Sequence, residues 1–213
     1  MKLHVFDHCP FCVRVRMCFG LKGIPCELEF HLDDDEEAPI RMIGRNMLPI
    51  LEDADGFMGE SLDIVRKVDG LSGERLFDAP PRLEIDAWIG RWATPISGLA
   101  IPRTADPIFP EFRTEAARAY FTRNKEAQFG AFAGLLSRTD AFKAELAPGL
   151  AELALILPDA EGATMDDIVL FPLLRSLSIV PDLPLPAKVS TYCERMAERS
   201  GVPLVSQLRR TTA

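Results

Sequence analysis

Lys2-Leu3-His4-Val5-Phe6-Asp7-His8-Cys9-Pro10-Phe11-Cys12 is the stretch that decides the fold of this 213-residue chain. Residues 2–6 alternate in polarity as a strand does, and two thiols three residues apart follow at once. Pro10 suits the first position of a helix, where its missing N–H is no loss and its φ is already helical. Cys9 then becomes the N-cap, its sulfur facing unpaired backbone N–H groups and the positive end of the helix dipole. Residues at i and i+3 of a helix have Cβ atoms roughly 5–6 Å apart, and a disulfide spans Cα atoms about 4.4–6.8 Å apart. A small adjustment could therefore close or open the bond. A thiol so placed favours its thiolate, with a pKa lowered from about 8.5 to roughly 3.5–7.5. The stretch reads as a thiol–disulfide redox centre at a strand-to-helix junction.

Outward from it, strand and helix signals alternate. Residues 9–22 carry Val13, Val15, Met17, Phe19 and Leu21 with Arg14 and Arg16 between them, a local alternation like that of a strand. Pro10, the length and Gly23 as a C-terminal stop predict instead a helix buried on more than one side. A strand is predicted over 26–32 and a short helix over 38–44, with Pro39 in its first turn and its end near Gly44. Leu48-Pro49-Ile50-Leu51-Glu52-Asp53 reads as a strand, Ala54-Asp55-Gly56 as a hairpin turn and Phe57-Met58 as the short partner. Glu60-Ser61-Leu62-Asp63-Ile64-Val65 opens another helix, giving the order βαβ, helix, ββα.

Composition changes near Leu71. Gly and Pro mark residues 73–81 as a linker, and beyond it the pattern predicts helices over 82–98, 114–138, 140–157, 165–179 and 186–199. Trp88 and Trp92, four apart, share one helical side and read as packing residues. Thr164-Met165-Asp166-Asp167 has the form of a capping box before a very apolar helix, the centre of a helical second domain.

Charge and cysteine usage narrow the function. The formal net charge is −8, which leaves no electrostatic footprint for nucleic acid. Eight Lys and Arg against fourteen Asp and Glu in residues 1–72 concentrate the acidity in the half that carries the cysteine pair. Its run Asp33-Asp34-Asp35-Glu36-Glu37 reads as a solvated loop or helix start. No run approaches the roughly 18–20 apolar residues that span a bilayer, and the N-terminus enters a strand without a secretory signal pattern. Five cysteines do not make a secreted disulfide framework, so a reducing cytoplasm is expected. A zinc site would need a second ligand pair, and Cys18 and Cys26 do not form one, so no metal is expected. Cys18, Cys26 and Cys193 read as small buried hydrophobes.

Two more elements bear on the thiols. Leu48-Pro49 puts a proline at the start of a strand that should be central, where a cis bond would let the preceding residue offer its backbone to an extended peptide; a trans turn is the plain alternative. Glu60-Ser61 stand at a helix N-terminus, where free N–H groups can bind a carboxylate and an acidic side chain can hold an ammonium; an ordinary cap is the plain alternative.

Together these stretches, with Phe19-Gly20-Leu21-Lys22-Gly23-Ile24-Pro25 and Leu170-Phe171-Pro172-Leu173-Leu174-Arg175, resemble the glutaredoxins. The closer resemblance is to the two-domain bacterial glutaredoxins of the glutaredoxin 2 type, and it covers nearly the whole chain in order. It implies an α/β plus all-α architecture: a thioredoxin-like domain at 1–72, a linker at 73–81 and an all-helical, glutathione-transferase-like domain at 82–213. It implies that Pro49 is cis and that glutathione is the cosubstrate, with Cys9 meeting its sulfur, Leu48 pairing with its backbone, and Glu60 and Ser61 holding its γ-glutamyl end. Cys9 is then the attacking thiol and Cys12 the resolving one. Implied partners are glutathione and glutathionylated or disulfide-bonded proteins, with no metal, nucleic acid or membrane and a monomeric state. Phe11 and Leu48 stand where tyrosine and valine are common in the family. Arg14, Arg41 and Arg45 are candidates for the glycyl carboxylate or the thiolate, against a reading of at least two as solvated surface charge.

Fold alone does not separate this reading from a glutathione transferase, but the intact CxxC favours redox chemistry, since conjugation has no need of Cys12. A non-enzymatic alternative similar to the chloride intracellular channel family shares the CPFC-like site. That family lacks the Glu-Ser pair.

Overall fold

The computed structural model describes residues 1–158 and 162–211. Its N-terminal part runs β1 (Lys2–Val5), α1 (Pro10–Leu21), β2 (Glu27–Phe30), α2 (Glu37–Ile43), β3 (Ile50–Asp53), β4 (Gly56–Met58) and α3 (Ser61–Asp69), the order expected from the sequence. The strands form one mixed sheet in the order β2-β1-β3-β4, with β1 parallel to β2 and antiparallel to β3, and β4 antiparallel to β3. On one face of β1 lie the fully buried Leu3 and Val5; the polar His4 lies on the other.

α1 resolves the ambiguity of its alternating sequence. It buries Cys12, Val13, Val15, Met17, Cys18 and Phe19, packing against α3 in its own domain and against helices of the second domain. A helix covered on several sides needs no single apolar stripe. It ends at Lys22, and Gly23 follows with φ 62°, a left-handed turn that glycine adopts without cost.

The second domain consists of α4 (Leu83–Ala100), α5 (Glu115–Phe129), α6 (Phe132–Ser137), α7 (Thr139–Ile156), α8 (Met165–Leu177), α9 (Ala187–Ser200) and α10 (Val205–Thr211), with 3-10 turns at Ile101–Arg103 and Pro110–Phe112. The single helix expected over 114–138 is two, α5 and α6. Gly130 at φ 92° breaks it, and the Glu126 carboxylate accepts the N–H of Phe132 at 2.7 Å across the break. The C-terminal α10 has no counterpart among the expected helices. Residues 159–161 and 212–213, at the margins of expected elements, lie outside the described residues.

α8 is nearly buried all round, as its apolar sequence implies, and it starts on the expected capping box: the N–H of Thr164 donates to the Asp167 carboxylate at 2.8 Å. Trp88 is a core residue, its Nε1–H donating to the Gly149 carbonyl at 2.7 Å. The stretch between α3 and α4 is tied down rather than loose. Asp69 accepts the N–H groups of Leu76 and Phe77 at 3.0 Å, and Phe77 is fully buried. Both α1 and the loop before it therefore meet the helical domain directly, which is what sets the site.

Candidate active site

Asp7, two residues past the end of β1, lies in the loop that carries the thiols. Arg175 of α8 donates to its backbone carbonyl at 2.6 Å and to its carboxylate at 2.7 Å, and Arg16 of α1 donates to the same carboxylate. Burial pushes the Asp7 carboxyl up, but the two guanidinium groups outweigh it and hold it below the usual range. The loop is thus fixed from both domains by charge-assisted bonds.

Cys9 is the N-cap of α1, in an extended conformation, with Pro10 at the first helical position as expected. Both cysteines are free thiols, Cys9 partly exposed and Cys12 buried. The Cys9 sulfur makes no capping hydrogen bond of ordinary geometry. The Cys12 thiol nonetheless hydrogen-bonds to it, which lowers the Cys9 pKa from an ordinary 9.0 to about 6; burial opposes this, while the charge on His8 and the N–H groups of Cys12 and Phe11 add to it. Cys12 is pushed above its ordinary value by burial and by Cys9, although its sulfur accepts the Phe6 N–H at 3.4 Å. One turn of helix separates a thiolate from a thiol.

The third participant is His8. Its backbone N–H and its Nδ1 both lie 2.7 Å from Oε1 of Glu111, a fully buried carboxylate in the 3-10 turn at Pro110–Phe112. The ring stacks on Phe6 and meets Phe112 and Phe121 of the helical domain at centroid distances of 5.0 and 5.3 Å. Burial in this aromatic box would discharge the imidazole. Its bond to Glu111, with the charges of Glu111 and Cys9, outweighs burial and raises the pKa. A Glu111–His8–Cys9 relay of alternating charge therefore crosses the domain boundary.

Cys9 opens into a cleft of about 400 Å³ between the two domains. Leu48 lines it from the N-terminal domain, Ile96 and Ser97 from α4, and Tyr120 and Lys125 from α5. Asp33 also faces it, and burial raises its pKa to about 6 despite the nearby charge of His8. The expected solvated run of carboxylates thus needs correction at its first member. Asp35 keeps the expected role, accepting the N–H of Ala38 at 3.1 Å near the start of α2.

The expected site residues are arranged unevenly. The Leu48–Pro49 bond is cis, and Leu48 shares the cleft with Cys9. Glu60 and Ser61 stand at the start of α3, outside the cleft lining. Glu60 has φ 64°, an uncommon conformation for a residue with a side chain, and its exposed carboxylate pairs with Arg45 at 3.2 Å. Arg14 lies over the Phe11 ring at 4.7 Å, close enough to feel the Cys9 charge. Of the remaining thiols, Cys18 and Cys193 are buried as expected, which pushes them up to about 12, whereas Cys26 is only half-buried, against the expectation, and is pushed up to about 11. Among the residues the sequence reading missed, His8 adjoins the motif and was findable. Glu111 lies 103 positions away and carried no signal.

Residues 84–208 match the family model described as the glutaredoxin 2 C-terminal domain, and residues 3–76 that of the glutathione S-transferase N-terminal domain. Glutaredoxin 2 of Escherichia coli K12 is 41% identical, the match covering 98% of this chain and 99% of that protein. The crystal structure of Salmonella typhimurium glutaredoxin 2 in complex with glutathione superposes with a TM-score of 0.92 at 41% identity, covering 97% of each chain. Gtt2 of Saccharomyces cerevisiae shares the fold at 17% identity, with a TM-score of 0.59 over 98% of this chain and all of that one. By sequence over nearly its whole length and by fold, this chain belongs to the glutaredoxin 2 family.

Proposed function

We propose that this glutaredoxin reduces glutathione mixed disulfides and protein disulfides through Cys9 and Cys12. The observation that carries the reading is the asymmetry of the pair: a partly exposed Cys9 with its pKa lowered to about 6 beside a buried Cys12 with its pKa raised. An attacking thiol works best as thiolate near ambient pH, and a resolving thiol is held in reserve as the protonated form.

In the monothiol route, the Cys9 thiolate attacks the glutathione sulfur of a mixed disulfide. A bond forms between Cys9 and glutathione, the original S–S bond breaks, and the substrate leaves as a thiolate that takes up a proton. A second glutathione thiolate then attacks the glutathione sulfur on Cys9, releasing oxidised glutathione and restoring the Cys9 thiolate. In the dithiol route, Cys9 attacks a substrate disulfide, and Cys12 loses its proton and attacks the Cys9 sulfur. The reduced substrate leaves, and two glutathione molecules reduce the Cys9–Cys12 disulfide.

Glutathione is proposed to lie across the cis Leu48–Pro49 bond, with its γ-glutamyl end at Glu60 and Ser61. Two observations support this: the position of Leu48 beside Cys9 in the cleft, and the backbone of Glu60, held at positive φ at a helix start. The Salmonella relative was solved with glutathione, in accord with this reading. We take residues 1–72 and 82–213 as the two domains, and the protein as a cytoplasmic monomer. No helix among the described residues is long and apolar enough to cross a membrane.

Reduction of a glutathionylated peptide, coupled to glutathione reductase, tests the proposal. Cys9→Ser should abolish turnover, and Cys12→Ser should spare deglutathionylation while losing reduction of protein disulfides. Turnover by Cys9→Ser, or loss of both activities in Cys12→Ser, would overturn these roles.

A further inference from the structure

On the polar face of the sheet, away from the thiols, His4 of β1 and Glu29 of β2 are direct register partners. His31, two residues on from Glu29, lies on the same face, and its N–H donates to the Val5 carbonyl at 3.3 Å. His4 Nδ1 and His31 Nε2 face each other at 2.9 Å, and both rings are buried. The outer nitrogen of each ring is turned to a carboxylate: His4 Nε2 lies 3.1 Å from Glu52 of β3, and His31 Nδ1 lies 3.5 Å from Asp35.

The inner nitrogens, 2.9 Å apart, are spaced for one hydrogen bond between the rings or for a shared cation. A divalent metal ion takes a lone pair from each neutral ring, and Glu29, with one oxygen 3.9 Å from each ring, supplies a third donor. The outer carboxylates then take the part they play in metal centres generally, fixing the tautomer and raising ligand basicity.

We propose that His4, His31 and Glu29 bind a divalent transition-metal ion of the zinc class, one ligand atom from each residue and a fourth position open to water. The three donor atoms lie within 4.8 Å of one another. Metal–ligand bonds of about 2.0–2.1 Å place tetrahedral ligands about 3.4 Å apart. The imidazole nitrogens must open slightly from 2.9 Å, and the Glu29 oxygens must close from the 3.9 Å at which each faces a ring. Both are side-chain adjustments, and the Glu29 side chain is 44% exposed. Lys2 holds Glu29 Oε2 at 3.0 Å, and Oε1, turned to His31, is the oxygen left for the metal. Such an ion would clip β1 to β2. It takes no part in the thiol chemistry, so the family's metal-free mechanism is unaffected.

The test uses the full chain with Cys9→Ser and Cys12→Ser as parent, because those thiols are themselves metal ligands. Titration with cobalt(II) should give the visible bands of a four-coordinate site at one equivalent, without a thiolate charge-transfer band, and zinc should displace it. Glu29→Gln and Glu52→Gln should each weaken binding about tenfold or more, and His31→Ala should abolish it. Glu29→Gln keeps the size and shape of a side chain that is 44% exposed and gives up only its charge, with the pair to Lys2, so it decides the matter alone if the histidine variant misfolds. No uptake at about 100 μM zinc, a thiolate band in the parent, or unchanged affinity in Glu29→Gln would overturn the proposal.

Discussion

Arg175 in the helical domain holds Asp7, two residues before Cys9, by bonds to both its carbonyl and its carboxylate. The Arg175 side chain is 1% exposed, so this is a buried ion pair whose desolvation is offset by a full set of partners, including the Pro203 carbonyl at 2.8 Å. Removing one member of a buried pair costs about 3–5 kcal/mol when the other is left uncompensated; Arg16 still pairs with Asp7, so the loss of Arg175 falls at the lower end of that range. Arg175→Met should lower stability by that order in urea unfolding. Arg91→Met, which breaks the exposed pair with Glu152, should change it by about 1 kcal/mol or less. Equal effects of the two would refute the account of the domain contact.

Gly20 marks the second place where the domains are fitted together. A Cβ built there would stand 1.8 Å from the backbone oxygen of Ser200 at the end of α9. Exchanging a helical glycine for alanine normally gains about 1 kcal/mol, whereas overpacking costs about 1–3 kcal/mol or more. The obstruction is backbone, which cannot rotate away, so the clash wins. Gly20→Ala should be destabilising by about 2 kcal/mol, read from the urea midpoint; a stabilised variant would show that α1 and α9 are not in fixed contact.

Alkylation of Cys9 should report its pKa of about 6 directly. The rate of reaction with iodoacetamide should rise about tenfold per pH unit below that value and level off above about pH 7. A rate still climbing between pH 8 and 9 would contradict the lowered pKa. The same shift makes a statement about stability. A folded-state pKa below the unfolded 9.0 means that unfolding takes up a proton between the two values. The Cys9 contribution to stability is therefore complete above pH 9 and is lost as pH falls through about 6.

Local signals carried much of this into the sequence. Pro10 after Cys9, the Gly23 stop and the Thr164–Asp167 box are short-range devices, and each sits where the residues imply. The break at Gly130 was missed because a lone glycine within a helical pattern is usually tolerated, and only its φ of 92° shows otherwise. Asp33 reads as one carboxylate in a solvated run; in the structure it lines the cleft, and its N–H donates to the Glu111 carbonyl of the other domain at 3.2 Å. Likewise, Glu29-Phe30-His31 forms no recognisable motif until the parallel pairing brings His4 alongside. Contacts between residues distant in the chain leave no local trace, and the two least legible groups, around His8 and around His4, both depend on such contacts.

Glu111→Gln tests the longest of these contacts. The amide oxygen can still accept the His8 backbone N–H, so the loop keeps its anchor, but the negative charge that favours an imidazolium is gone. His8 in its aromatic box should then lose its proton at lower pH, because burial is the largest influence opposing the charge. With the imidazolium gone, one of the influences lowering the Cys9 pKa is lost, and that pKa should rise. At about pH 6 the alkylation rate should fall several-fold, while at about pH 9, where even an ordinary thiol is half ionised, it should nearly match the parent. A uniform loss across the whole range would mean that Glu111 acts by holding the structure together, and an unchanged profile would remove His8 from the account of the thiolate.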